Sequence, residues 1–143
     1  MYTEIGSVSA ETLSALKALL PQTKWQVFEG RPGQVHQMSA KGCVEDARQI
    51  PELVERWPGE WKQCIFLKLQ PGDHLFRHAD TGFGYHIPIE TSPEALSMTY
   101  DENGCNEQHL EVGQIYHIDR SIEHESFNAG STDRVHFLLM LEE

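Results

Sequence analysis

Cysteine is scarce: three residues in 143, Cys43, Cys64 and Cys105, odd in number and without the paired short spacings of a zinc knuckle or redox motif. They read as reduced, partly buried thiols. Basic residues are scarce too, with 11 Lys and Arg against 22 Asp and Glu and a formal charge of −11. That balance repels phosphate backbones and anionic headgroups, so neither nucleic acid nor a membrane surface is an expected partner. No window approaches the roughly 18 apolar residues of a membrane span, and "MYTEIGSVSAETL" lacks a basic segment followed by an apolar one. The expected compartment is the cytoplasm. Linkers, low-complexity runs and internal repeats are missing as well. A single domain over residues 1–143 is expected, long enough for one core and too short for two.

The sequence is 39% hydrophobic and 23% charged, as a folded chain requires. Leu13, Leu16, Leu19 and Leu20 recur at helical spacing before Pro21, which predicts an amphipathic helix over 9–20. "KWQVFEG" reads as a strand. In "EDARQIPELVERWPG" the positions Ala47, Ile50, Leu53, Val54 and Trp57 fit a helix that Pro51 either kinks or restarts and Pro58-Gly59 ends. From Gln63 the texture changes to short β-rich segments, "QCIFLKL", "HLFRH", "YHIPIE", "LSMTY", "GQIYHI", "HESFN" and "RVHFLLML", with a hairpin turn at Asn103-Gly104. Seven or eight strands at this spacing predict a mainly β fold, a sandwich or small jelly-roll barrel. Helical support over about 1–62 would brace a jelly-roll core over about 63–141.

Chemistry concentrates in "FRHADTGFGYHIPIE", residues 76–90. Side chains at i and i+2 of a strand share a face, so His78 and Asp80 can chelate one metal together. A facial triad of two histidines and one carboxylate needs a third ligand and leaves open positions for other groups. His124, at the start of "HESFN", is the candidate. "HESFN" and "RVHFLL" read as two arms of a hairpin around "AGST", which would bring Arg134 opposite or diagonal to the residues after His124. Its planar guanidinium suits a carboxylate held through two hydrogen bonds.

The ordered segments "LQPGDHLFRHADTG", "YHIPIETSPEA" and "GQIYHIDRSIEHESFNAGSTDRVHFLLML" resemble the aspartyl/asparaginyl β-hydroxylase-like branch of the Fe(II)- and 2-oxoglutarate-dependent oxygenases, across about residues 63–141. The resemblance implies a double-stranded β-helix, a cupin-like barrel. It also implies iron bound by His78, Asp80 and His124, with Arg134 on the far carboxylate of 2-oxoglutarate and His86 in a supporting role near that cosubstrate. Many members of that family carry an arginine two positions before this histidine; here Tyr85 is read in that place, which leaves a second cosubstrate contact open. The activity implied is a dioxygenase that uses molecular oxygen to hydroxylate an amino acid or peptidyl residue.

Two other classes fit the same residues less well. A cupin-type metal enzyme that is not an oxygenase would show an HxH pair followed by a glutamate, and a non-catalytic small-molecule-binding barrel would not need an intact ligand set. His36, His74, His109, His117 and His136 read as surface or strand residues, although His136 would share the face of Arg134. Asp119 reads as a turn residue whose carboxylate caps local N–H groups.

Overall fold

The computed structural model describes residues 1–30 and 34–141. Its larger antiparallel sheet contains seven strands. In chain order they are β1 (Thr3–Ser7), β2 (Trp25–Glu29), β3 (Val35–Ser39), β4 (Trp61–Leu69), β6 (Phe83–Glu90), β9 (Gln114–Asp119) and β11 (Arg134–Leu141), arranged β1-β9-β6-β11-β4-β3-β2. The smaller sheet holds β5 (His74–His78), β7 (Ala95–Asp101), β8 (Gly104–Gln108) and β10 (Glu123–Asn128), in the order β5-β10-β7-β8. From β4 to β11 the chain passes back and forth between the sheets, the winding of a double-stranded β-helix. The expected mainly β jelly roll with flanking N-terminal helices is what forms.

Strand alternation gives the larger sheet two unlike faces. On β11, Val135, Phe137 and Leu139 join the main apolar cluster, whereas Leu138 and Met140 line a cavity between the sheets and Arg134 and His136 lie on that same inner side. The apolar face is covered by helices. α1 (Ala10–Ala18) and α2 (Pro51–Arg56), with a 3-10 turn at Glu45–Gln49, bring Leu16, Ala47 and Leu53 against Phe66, Ile87 and Phe137. Ser9 caps α1 by accepting from the Thr12 N–H at 3.1 Å, and its hydroxyl donates to Glu52 Oε1 at 2.8 Å, which ties the two helices together. Pro51 starts α2, in the first turn where its missing N–H costs nothing. No helix among the described residues is long and apolar enough to cross a membrane.

Several expectations change. The first helix stops at Ala18, and Pro21 falls in a separate 3-10 turn over Leu20–Gln22. The segment expected to be helical support also contributes β1 and β3 beside β2, and a further strand, β8, follows the Asn103-Gly104 turn. The most consequential correction concerns "HESFN" and "RVHFLL". They are not a hairpin: β10 pairs with β5 and β7 in the smaller sheet, and β11 pairs with β4 and β6 in the larger one. Residues 129–133 cross between sheets. Arg134 meets Ser97 and Ser126 because the sheets face each other, not because the strands are neighbours.

Leu53 is fully enclosed between α2 and the sheet. Leu53→Ala is expected to cost about 2–5 kcal/mol of unfolding free energy in urea titration. A loss below about 1 kcal/mol, the scale of a surface change, would mean that the helices do not share the core.

Candidate active site

Register places the first two expected ligands side by side. His124 on β10 lies opposite His78 on β5, and their ring centroids are 4.4 Å apart. Asp80 follows two residues beyond His78, past the strand end, where its N–H donates to the Arg120 carbonyl at 2.7 Å. The ligand atoms of His78, Asp80 and His124 all lie within 4.8 Å of one another. Each imidazole is oriented by its own strand: His78 Nδ1–H donates to the Phe76 carbonyl and His124 Nδ1–H to the Ile122 carbonyl, both at 2.7 Å. That tautomer leaves Nε2 bare as a lone-pair donor. His78 Nε2 stands 3.3 Å from Asp80 Oδ2. Burial, above all, holds His124 below its ordinary pKa, so its ring is neutral and able to ligate.

The trio opens into a cavity of about 290 Å³ between the sheets, walled by apolar side chains such as Leu67, Leu75 and Leu138. Arg134 lies deeper, 2% exposed. Its Nη2 donates to the hydroxyls of Ser97 at 3.5 Å and Ser126 at 3.4 Å, while Nη1 has no partner. Desolvation pulls its pKa down to about 10, which leaves it charged at neutral pH. Among the described residues no carboxylate pairs with it. Ser97 and Ser126 are cross-strand partners, and Thr99 and His124 form the next such pair but one along the same strands. The arginine's hydroxyl contacts thus sit two residues, about 7 Å of strand, from the metal-ligand trio. Thr99 Oγ1, beside His124, is buried and unpaired.

His86 lines the cavity, with its Nδ1 3.1 Å from Nδ1 of the fully buried His136. One ring donates and the other accepts, so the accepting ring is neutral. Tyr85 does not occupy the position read for it. It points to the helix side against Trp57, and the residue sharing the inner face with His86 is Gly84. A Cβ at Gly84 would lie 3.0 Å from Arg120 Cδ, so the bare glycine makes room for an arginine arriving from the neighbouring strand end. Arg120 Nη2 donates to Asp80 Oδ2 at 3.2 Å and Nη1 to the Thr81 carbonyl at 3.3 Å. Sequence reading missed Arg120, Ser97, Ser126, Thr99 and Tyr2, polar residues whose inward position only the pairing of distant strands reveals. Of the remaining histidines, His36 lines the cavity and stacks on Phe28, His74 pairs with Glu125, His109 donates to the Ala95 carbonyl, and His117 stacks on Phe83. Asp119 caps the Ser121 N–H at 3.0 Å, the turn role expected of it.

Two facing antiparallel sheets wound in this way place the protein among the cupin-like jelly rolls. Within that class its sequence is decisive: residues 7–143 match the model of the aspartyl/asparaginyl β-hydroxylase family, and the chain belongs to that family. No curated protein matches it in sequence. In fold it is similar to a prolyl-4-hydroxylase from Pseudomonas putida, with a TM-score of 0.76 at 13% identity, over 99% of this chain and 92% of that one. It is also similar to an oxidoreductase of the 2OG-Fe(II) oxygenase family from Burkholderia pseudomallei, with a TM-score of 0.73 at 10% identity, over 92% and 78%. A third likeness is to Drosophila melanogaster CENP-C bound to CAL1, at 0.52 and 12% identity, over 90% and 91%. At such identities the likeness is one of fold.

Burial, then the Arg134 charge, holds both His86 and His136 well below the usual 6.5. The unfolded chain protonates them near 6.5 and the folded chain does not, so their contribution is full above that pH and shrinks as pH falls below it. Stability should decline by about 1.4 kcal/mol per pH unit for each ring, down to the depressed folded pKa. Denaturant titrations across this window should show a slope that His136→Gln lowers by about one proton's worth. An unchanged slope in that variant would mean His136 is not held neutral.

Proposed function

We propose that this protein is an Fe(II)- and 2-oxoglutarate-dependent dioxygenase that hydroxylates an amino acid or a peptidyl residue. The observation that carries the reading is Arg134, a charged guanidinium sealed between two sheets with no acidic partner among the described residues, one short strand step from two histidines and an aspartate. Buried charges are ordinarily paired. An unpaired one against Ser126, a residue of the cavity wall, suits an anion supplied from outside, and the step to the trio suits an extended five-carbon diacid chelated at its other end.

The donor set fits iron. Two imidazoles and one carboxylate form the facial set of non-heme Fe(II) sites, and here their ligand atoms lie within 4.8 Å of one another. His78, Asp80 and His124 would hold the ion and Arg134 the far carboxylate. When bound, iron and 2-oxoglutarate supply the oxidising chemistry: one oxygen atom enters a substrate C–H bond as cosubstrate is converted to succinate and carbon dioxide. The protein's own work is positional. The Phe76 and Ile122 carbonyls fix the ring tautomers, Arg120 holds Asp80 Oδ2 in place, and the apolar walls exclude water. Arg120 and Asp80 in the cavity wall offset each other, so the Arg134 charge behind Ser126 makes that end of the cavity cationic and favours anionic visitors. Its small volume favours a free amino acid or a short, accessible peptide.

Anaerobic addition of Fe(II) and 2-oxoglutarate to folded, metal-free protein should give the weak visible band of a chelated keto acid; no band would refute the assignment. Arg134→Met separates binding from folding. Replacing an unpaired buried charge with an apolar chain should leave ligand-free stability equal or raise it by about 1–4 kcal/mol. The variant should retain Fe(II) yet weaken 2-oxoglutarate binding by roughly 2–5 kcal/mol in titration calorimetry. Undiminished 2-oxoglutarate affinity would remove Arg134 from the site.

A further inference from the structure

Tyr2 is a deeply enclosed polar side chain that the chemistry above leaves unused. It precedes the first strand, yet it is only 3% exposed. Gln108 clamps its backbone: the Tyr2 N–H donates to Gln108 Oε1 at 2.8 Å, and Gln108 Nε2–H donates to the Tyr2 carbonyl at 2.9 Å. The next residues enter the sheet as β1 beside β9. The ring meets His86 edge-on at a centroid distance of 5.1 Å and lines the cavity. Its phenol end lies among Ser97, Ser126 and Arg134, all three of which act on its ionisation.

Apolar filling alone does not account for a tyrosine here. A phenylalanine would occupy the same space without taking a hydroxyl into a water-poor end of the cavity, where an unmatched polar group is costly. The surroundings are rich in donors and poor in acceptors. Ser97 and Ser126 already accept from Arg134 Nη2, Nη1 is unpaired, and among the described residues no carboxylate pairs with the arginine. Three hydroxyls can satisfy one another in part, but none can neutralise a guanidinium. Burial raises the phenol above its ordinary pKa of 10.0, so it is a neutral donor at physiological pH and cannot serve as the counter-ion. The missing component is an anion with several lone pairs.

The structure assigns Tyr2 to the anion end of the cosubstrate pocket: its hydroxyl donates to the far carboxylate of the keto diacid that Arg134 neutralises, so the first residues of the chain complete the site. This rests on the reading of the cavity as a 2-oxoglutarate site. Tyr2 lies ahead of the family-matched residues 7–143, so the assignment concerns this chain's own N-terminal strand.

The test is titration calorimetry of the full chain, anaerobic and loaded with Fe(II), comparing the parent with Tyr2→Phe. The ring is retained, so unchanged melting and Fe(II) affinity are expected. Affinity for 2-oxoglutarate should fall roughly tenfold, as loss of a hydrogen bond to a charged group implies. Affinity for 2-oxobutyrate, which has the keto acid but no far carboxylate, should not change. Equal or tighter 2-oxoglutarate binding by Tyr2→Phe overturns the assignment, the tighter case meaning that the phenol merely fills the site. An equal loss for both keto acids also overturns it, because the effect would not be local to the far carboxylate. If the parent binds Fe(II) but no 2-oxoglutarate, the cavity reading fails and the role of Tyr2 falls with it.

Discussion

Among the described residues no carboxylate pairs with the Arg134 guanidinium held between the two sheets, so desolvation of that charge costs the ligand-free fold several kcal/mol. The rest of the structure has to tolerate that penalty. It does so by dividing labour across one sheet. The outer face packs Phe66, Ile87, Phe137 and Leu139 against Leu16, Ala47 and Leu53 from the helices, and that side has the character of an ordinary core. The inner face carries Arg134, His86 and His136, neutral rings beside a bare charge, and contributes chemistry at the expense of stability.

The same alternation explains how a short chain places His78, Asp80 and His124 and the unpaired Arg134 at a fixed separation. His124 and Ser126 are two residues apart on β10, so both face inward; Thr99 and Ser97 answer them across the pair on β7. One step of the ladder leads from the trio to the hydroxyls that touch Arg134. Strand geometry sets that distance more firmly than a loop could, and His78 joins from the other side of β10 through its register with His124. Asp80 is set differently, past the end of β5, and depends on Arg120 for its orientation.

What the sequence made legible follows from these mechanisms. His78, Asp80, His124 and Arg134 could be singled out because they are chemically unusual residues in apolar, strand-forming contexts, and the larger strands from Gln63 onward carry strong local patterns. Edge strands carry weak ones. β1 and β8 are mostly exposed, so no alternation marks them, and their place is decided by contacts such as Tyr2 with Gln108, 106 positions apart. The hairpin reading of "HESFN" and "RVHFLL" failed because a short polar connection is equally compatible with a turn between paired strands and a crossing between facing sheets. Only the pairing of β11 with β4 and β6 separates the two. Tyr85 failed by parity: a shift of one residue on a strand exchanges faces, and it moved attention from the bare Gly84 to a side chain buried on the helix side. Arg120, in the turn "DRSI", gives no local sign that its stem will cross Gly84.

Fold alone does not choose among the functions a jelly roll can host, since sites are grafted on to shared scaffolds. The choice rests on what the inner faces carry together. A cupin-type metal site of another reaction class would draw a further histidine or a glutamate into the cluster, and among the described residues the group is His78, Asp80 and His124. A barrel that only binds an apolar small molecule has no use for a sealed guanidinium, and its cavity would gain affinity and stability together if Arg134 were replaced by an aliphatic chain. Neither alternative explains why the unpaired charge touches Ser126 one ladder step from the trio. An enzyme that brings a metal ion and a diacid to the same substrate needs both at that spacing, because the two ends of one cosubstrate have to be satisfied at once.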